Sequence, residues 1–329
     1  MGTRRTMKII STTTKMLLQA AFDEFIDEKE SANSAPDTIR SYRGVFKQFK
    51  TFVDGFDEFD GEDVTCDVID VGTILKWKTS MLNDGRNPNT INNYLTHMRA
   101  FLYWSMDKTY ITPRFKIELI KAQQEHFKEF TLEEQKALID KPQRKKETHF
   151  GEWRTWAIVH FVLATGARAS TICNIKLEDV DFVKREIILA HTKNKKAQIA
   201  AMSPDLYSAL KQYMSTADFT GTTYLFPEIG GRKLTTNALR LSFARYCENR
   251  GVEKTNIHGL RHSYARSFLL LSGGDSLTLQ KALGHSTLEM TKRYANLYHE
   301  DIKESLIKYN PLDNLKKGKS RRNKMQGSD

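Results

Sequence analysis

Apolar residues recur along this chain mainly at helical spacing and only briefly alternate. Met16, Leu17 and Leu18 open the first run, Phe22, Phe25 and Ile26 continue it, and the Ser/Ala/Pro stretch 31–36 breaks it. Asp37 or Thr38 is placed to cap a second helix with Ile39, Tyr42, Phe46, Phe49 and Val53 on one face. A third helix is predicted near Val71 to Leu82. A fourth follows Asn87-Pro88-Asn89-Thr90 and carries Ile91, Tyr94, Leu95, Met98, Phe101 and Leu102. The span from about Ile111 to Thr131 reads as a linker, after which Thr131, Glu133 and Glu134 open a helix with a capping residue and an acidic first turn. An apolar helix from Trp156 to Leu163 leads into Thr165-Gly166-Ala167-Arg168. Two strands, Glu186 to Thr192 and Ala197 to Met202, flank the turn Lys193-Asn194-Lys195-Lys196. Leu260, Tyr264, Phe268 and Leu271 define a further helix. It ends at a Gly-Gly-Asp turn, and a short helix from Ser276 to Leu283 follows. After Gly284-His285, Ser286 and Glu289 form a capping box for a last short helix. The expected fold is mainly α with a small antiparallel β-sheet.

At 329 residues the chain can hold two domains, each with its own core. A net charge of +11 favours a polyanionic partner, where a basic surface serving solubility is the blander reading. Cys66, Cys173 and Cys247 are scattered, odd in number and without C-x-x-C spacing. They point to a reducing cytoplasm with neither a disulfide framework nor a zinc site. No apolar run approaches membrane-spanning length and no signal peptide is visible, so a cytoplasmic protein without a membrane partner is expected.

The chemistry gathers between His258 and Tyr294. His258 and Arg261, three residues apart, project from one helical face, while glycine turns aim His285 and Tyr294. Guanidinium forks hold phosphoryl oxygens, imidazoles donate hydrogen bonds or carry protons, and a phenol oxygen can attack. His258 and His262, four apart, also permit a shared metal. The absence of a glutamate after the first histidine and the presence of Arg261 argue against it, so no metal or other cofactor is expected and His262 reads as a packing or supporting residue. Tyr298 and Tyr309 compete with Tyr294 as nucleophile on spacing alone.

The stretches H-G-L-R-H-S-Y-A from His258, L-G-H-S from Leu283 and T-K-R-Y-A-N ending at Asn296 resemble the catalytic domain of the tyrosine recombinases, the phage-integrase family. A-T-G-A-R-A-S, Ala164 to Ser170, resembles the family's first arginine turn and offers Arg168. The hairpin Ile187 to Ile199 resembles the one that carries its lysine and offers Lys193, with Lys195 and Lys196 as neighbours that leave the choice open. The resemblance selects Tyr294 over its competitors and implies Arg168, Lys193, His258, Arg261, His285 and Tyr294 as the catalytic set. Arg168 and Arg261 would clamp a phosphate, Tyr294 would form a 3′-phosphotyrosyl link and Lys193 would protonate the leaving 5′ oxygen. His258 would assist proton transfer at the tyrosine, and His285 would hydrogen-bond the phosphate. One departure stands out. The family commonly has an acidic residue three positions after the first arginine, where this chain has Thr171, and neither Glu178 nor Asp179 takes its place by matching.

The resemblance also implies an organisation. A flexible basic N-terminus (1–15), a helical SAM-like core-binding domain (16–110), a linker (111–130), the catalytic domain (131–310) and a disordered basic tail (311–329) would form a C-shaped clamp on duplex DNA. Arg40, Arg43, Lys47 and Lys50 make a basic stripe suited to phosphates, and Asn92, Asn93, His97 and Arg99 are possible base contacts. Lys195 and Lys196 would be further phosphate contacts. The chain leaves no room for an arm-binding domain. A monomer when free, it would act as a homotetramer on two duplexes, with a directionality factor as a further partner. The helix Glu300 to Tyr309 would dock in cis or on a neighbouring protomer. The integrase of a mobile element is the leading role. A chromosome- or plasmid-dimer resolvase, a type IB topoisomerase and a catalytically idle DNA-binding protein are the alternatives.

Overall fold

The computed structural model describes residues 15–55, 63–121, 129–142, 149–189, 198–285 and 287–295. It divides into two compact units, 1–125 and 126–329. No helix among the described residues is long and apolar enough to cross a membrane.

The first unit is a four-helix arrangement of α1 (Leu18–Ser31), α2 (Pro36–Asp54), α3 (Val71–Asn83) and α4 (Pro88–Asp107). Its core is aromatic: Phe22 stacks on Phe46 with ring centroids 3.7 Å apart, and Phe101 meets both edge-on. Met16 and Leu17, expected in the first helix, instead run extended beside Val64–Cys66, where Leu18 donates its backbone N–H to the Val64 carbonyl. Neither Asp37 nor Thr38 caps α2. The helix starts earlier, with Ala35 at the cap and Pro36 in the first turn. Proline's fixed φ suits that position, and its missing N–H leaves one fewer donor to satisfy. Asp70 and Thr73 form the capping box of α3, and Asn87 caps α4.

Of the span read as a linker, Ile111 and Ile117 are buried in this first core. Asn92 explains how this segment is held. Its side-chain amide donates to the Ile120 carbonyl at 2.8 Å, and its carbonyl oxygen accepts the Ile120 N–H at 2.8 Å.

The second unit is built around α6 (Phe150–Thr165), whose Ala157, Ile158, Val159, Phe161 and Val162 are buried in succession. A helix apolar on every side belongs at the centre of a core. Packed on it are α5 (Leu132–Ile139), opened by the expected Thr131–Glu134 capping box, α8 (Pro204–Met214), α9 (Thr236–Glu248) and α10 (Ile257–Ser272). The short α7 (Ala169–Asn174) follows Arg168, and α11 (Ser276–Leu283) and α12 (Leu288–Ala295) close the described chain. The antiparallel sheet has three strands, β1 (Val180–Asp181), β2 (Glu186–Leu189) and β3 (Gln198–Ala201), in the register Ile187↔Ala200. Only β2 and β3 were expected. Strand β1 spans two residues, too few to show an alternating pattern.

Candidate active site

Arg261 is the anchor. It sits on α10 with 4 % of its surface exposed. Nη1 donates to the Gly166 carbonyl, while Nη2 lies 3.0 Å from the Leu283 carbonyl and 3.0 Å from His285 Nε2. A guanidinium has five donors in a fixed fork, so one side chain ties the turn after α6 to the turn after α11. Burial, together with the nearby Arg168 charge, lowers its pKa to about 10, still protonated at neutral pH.

Gly166 makes this approach possible. It is the left-handed C-cap of α6, at φ 63°. A Cβ there would stand 2.5 Å from Tyr264 Cδ1 and 2.6 Å from Leu283 Cδ2. Arg168 follows two residues later at the N-cap of α7, half-buried, and none of its guanidinium nitrogens has a hydrogen-bond partner among the described residues. One arginine is thus spent largely on the protein and the other is open to an anion.

The tautomer of His285 follows from its partners. Arg261 can only donate, so His285 Nε2 accepts and Nδ1 carries the proton, which it donates to Thr291 Oγ1 at 2.9 Å. In this state Nε2 has no proton to offer a phosphate. Burial first, then the charges of Arg261 and Arg168, lowers the His285 pKa to about 4.

Tyr294 lies inside the site, 4 % exposed, its ring nearly parallel to that of His285 with centroids 6.2 Å apart. Its hydroxyl is 2.8 Å from His262 Nδ1. Burial raises the phenol's pKa, and the positive charges of Arg261 and Arg168 oppose that rise. The His262 pKa falls to about 4, by burial and then by His258 and Arg261. His258, at the open edge of the site, has its ring centroid 5.7 Å from that of His262. Its pKa is also lowered, by its protein surroundings and then by Arg261 and Arg168.

The structure therefore brings Arg168, His258, Arg261, His285 and Tyr294 together. Lys193, Lys195, Lys196 and Ser286 lie outside the described residues, as do Tyr298, Tyr309 and the helix expected over 300–309. Sequence reasoning missed four contributors. His262, read as packing or support, touches the candidate nucleophile; its position beside Arg261 and four residues after His258 was the available signal. Thr291 fixes the His285 tautomer, and the Gly166 and Leu283 carbonyls hold Arg261; nothing in the sequence marks these contacts.

Thr171 is buried. Asp179 accepts the Lys176 backbone N–H and Glu178 pairs with Lys176 in a surface turn. The carboxylate that raises the Tyr294 pKa is Glu129, which pairs with Arg266 at 3.0 Å.

On the first unit, the basic stripe is tied up locally. Arg40 pairs with Asp37, Arg43 with Glu30 and Lys50 with Asp54. Such exposed pairs contribute little to stability. Arg43, Lys47 and Lys50 line a groove of about 310 Å³ with Gln19, Asp23 and Asp54. Asn92 is a correction: its amide holds Ile120 and is not presented to DNA. Asn93 is exposed, His97 donates to the Asn93 carbonyl, and Arg99 lies over the Tyr103 ring.

This geometry has relatives. The phage integrase family matches residues 128–301, and the phage integrase SAM-like domain matches residues 17–117. The chain belongs to the phage integrase family. It is 26% identical over 286 residues to tyrosine recombinase XerC of Thermodesulfovibrio yellowstonii, covering 84% of this chain and 90% of that one. It is 24% identical over 282 residues to XerD of Staphylococcus haemolyticus, covering 83% and 92%. The Tn1549 transposon integrase in complex with a circular intermediate DNA shares the fold at TM-score 0.69 and 19% identity, over 85% of this chain and 95% of that one. A lambda integrase tetramer bound to a Holliday junction shares it at TM-score 0.67 and 14% identity, over 86% and 78%. The tyrosine recombinases are site-specific DNA recombinases, and the expected pairing of a SAM-like helical domain with a mainly helical catalytic domain holds.

The two depressed histidines give this recombinase a pH signature. His262 and His285 titrate near 4 when folded, against 6.5 ordinarily. Between those values the unfolded chain binds more protons, so their contribution to stability is present above pH 6.5 and is lost as pH falls toward 4. Denaturant midpoints measured at pH 7.5 and 4.5 should fall with pH. His285→Gln should fall less, because Gln has no proton to gain.

Proposed function

We propose that this tyrosine recombinase is the integrase of a mobile element, cutting and rejoining double-stranded DNA at core crossover sites through a 3′-phosphotyrosyl intermediate. The observation that carries the chemistry is the Tyr294 hydroxyl, held beside His262 and Arg261 within reach of an arginine, Arg168, that the protein leaves open.

In this reading the scissile phosphate lies on Arg168 and on the donors Arg261 has left. Positive charge fixed in a dry site stabilises the charge that builds on the nonbridging oxygens. Tyr294 attacks phosphorus, the P–O5′ bond breaks, and the 5′ oxygen takes a proton from Lys193. Reattack by the 5′ hydroxyl of a second duplex reverses these steps and exchanges strands. The protein is free as a monomer in the cytoplasm and works as a homotetramer on two duplexes, with a directionality factor choosing between insertion and excision. The likeness to the Tn1549 and lambda integrases supports the mobile-element role, and the XerC and XerD relatives favour a second reading, dimer resolution by the same chemistry.

The test is a nicked suicide duplex drawn from the DNA flanking the gene. A denaturing gel should show an adduct that proteolysis reduces to phosphotyrosine on a 3′ phosphate, with a free 5′ hydroxyl. Binding without adduct on a verified site would leave a DNA-binding protein. Plasmids then separate the roles: an integrase joins two different sites, and a resolvase separates two direct repeats of one.

A further inference from the structure

We propose that His262 is a catalytic residue of this recombinase, the immediate acceptor of the Tyr294 proton during attack and its donor during rejoining. The inference rests on Tyr294 being the nucleophile.

Geometry carries it. His262 Nδ1 is 2.8 Å from the Tyr294 oxygen, within proton-transfer reach. His258, on the same face of α10 and the obvious base by sequence, makes no hydrogen bond to Tyr294 among the described residues; its ring lies 5.7 Å from that of His262. The backbone fixes the pairing. His262 follows Arg261, which is locked between the Gly166 and Leu283 carbonyls, and Tyr294 rides on α12 three residues beyond Thr291, which holds His285. The His262 contact thus belongs to the frame that positions both arginine and nucleophile. Arg261 and Arg168 set positive charge beside the Tyr294 oxygen, which favours loss of its proton to Nδ1.

The step balances. A bond forms between Tyr294 Oη and phosphorus, the Oη–H proton moves to His262 Nδ1, and the P–O5′ bond breaks, its oxygen taking a separate proton. In rejoining, His262 returns its proton to Tyr294 as the phosphotyrosyl bond breaks.

The charges around His262 make the step depend on DNA. His258 and Arg261 from its own helix lower its pKa, Arg168 and His285 face the cluster from the two turns, and Glu129 faces Tyr294 from the segment before α5. A bound phosphodiester adds a negative charge beside the arginines, which raises the basicity of His262. Without DNA the base is weak and the buried phenol stays protonated. The nucleophile is therefore switched on by the substrate it attacks.

The experiment is single-turnover cleavage, at saturating protein, of the duplex on which the intact chain forms its adduct. Rates are measured from pH 5 to 9 for the intact chain, His262→Asn and His262→Gln, with gel-shift binding and melting as controls. Asn keeps a hydrogen-bonding atom near the Nδ1 position but cannot take a proton, and Gln serves if Asn does not fold. A second duplex carries sulfur in place of the bridging 5′ oxygen, so that its leaving group needs no proton. Both variants should bind normally, cleave about 100-fold more slowly on both duplexes, and lose the acidic inflection of the pH profile. A His262→Asn rate within about threefold of the intact rate at every pH would overturn the proposal, since general-base help is worth more than that. Rescue by the sulfur duplex would also overturn it, by moving His262 to the leaving group. An adduct that survives Tyr294→Phe sinks the nucleophile reading itself, a different failure.

Discussion

Tyr294→Phe is expected to bind duplex DNA as the intact chain does and to form no covalent adduct on any substrate. The substitution removes one oxygen and keeps the ring, so the near-parallel packing on His285 and the burial against α10 and α11 persist. What is lost from the fold includes the hydrogen bond between the hydroxyl and His262. A buried hydrogen bond is worth about 1 kcal/mol, and an orphaned partner costs about 1–3 kcal/mol. The melting midpoint should therefore drop by only a few degrees, which a thermal scan checks alongside the denaturing gel. Loss of the adduct with the fold retained would exclude a merely structural tyrosine. An adduct from the Phe variant would move the nucleophile to Tyr298 or Tyr309.

The raised pKa of Tyr294 makes the same point from chemistry. A buried neutral phenol is a poor nucleophile, and burial here outweighs the pull of two arginines. Attack therefore needs an acceptor for the proton, and among the described residues the histidine hydrogen-bonded to the phenol is His262.

Many of these features are legible in the amino-acid sequence, because they are local. The helical spacing within the runs Phe22–Ile26, Ile39–Val53 and Ile91–Leu102 gives the helices, and the Thr131–Glu134 pair gives a helix start. The stretches around Arg168 and from His258 to Tyr294 give, in order, five side chains that the fold brings together. Contacts between segments far apart in sequence are not legible. Asn92 reads as a base-reading amide on an exposed face, and only the fold shows Ile120 lying across it. Gly166 reads as part of a motif, and only the fold shows its carbonyl under Arg261 and no space for a Cβ. His262 falls between these cases. Its spacing is visible, but its role depends on where α12 returns the chain. The start of α2 differs for another reason: proline at the first helical position outweighs the acidic and hydroxyl candidates that follow it.

Arg261→Lys should be nearly as damaging to activity as loss of the nucleophile, and more damaging to the fold. The charge is kept, but a lysine has one nitrogen on a flexible stem and cannot span the Gly166 carbonyl, the Leu283 carbonyl and His285 together. At least one buried carbonyl loses its donor, at about 1–3 kcal/mol each, and His285 Nε2 loses the partner that fixed its tautomer. A total cost of about 2–4 kcal/mol is expected, read as a lower denaturant midpoint with unchanged slope. Cleavage should fall by about 10³-fold, the scale of losing a preorganised donor to a developing oxyanion, with some further loss as the turns carrying Arg168 and His285 drift apart. Arg168→Lys separates the two effects. That guanidinium makes no hydrogen bond within the described protein, so its replacement should leave the midpoint nearly unchanged while cleavage still drops. If Arg168→Lys destabilised the chain as much as Arg261→Lys, the division of one arginine for the frame and one for the phosphate would be wrong. If Arg261→Lys kept both stability and rate, the link between the two turns would not be what holds the site together.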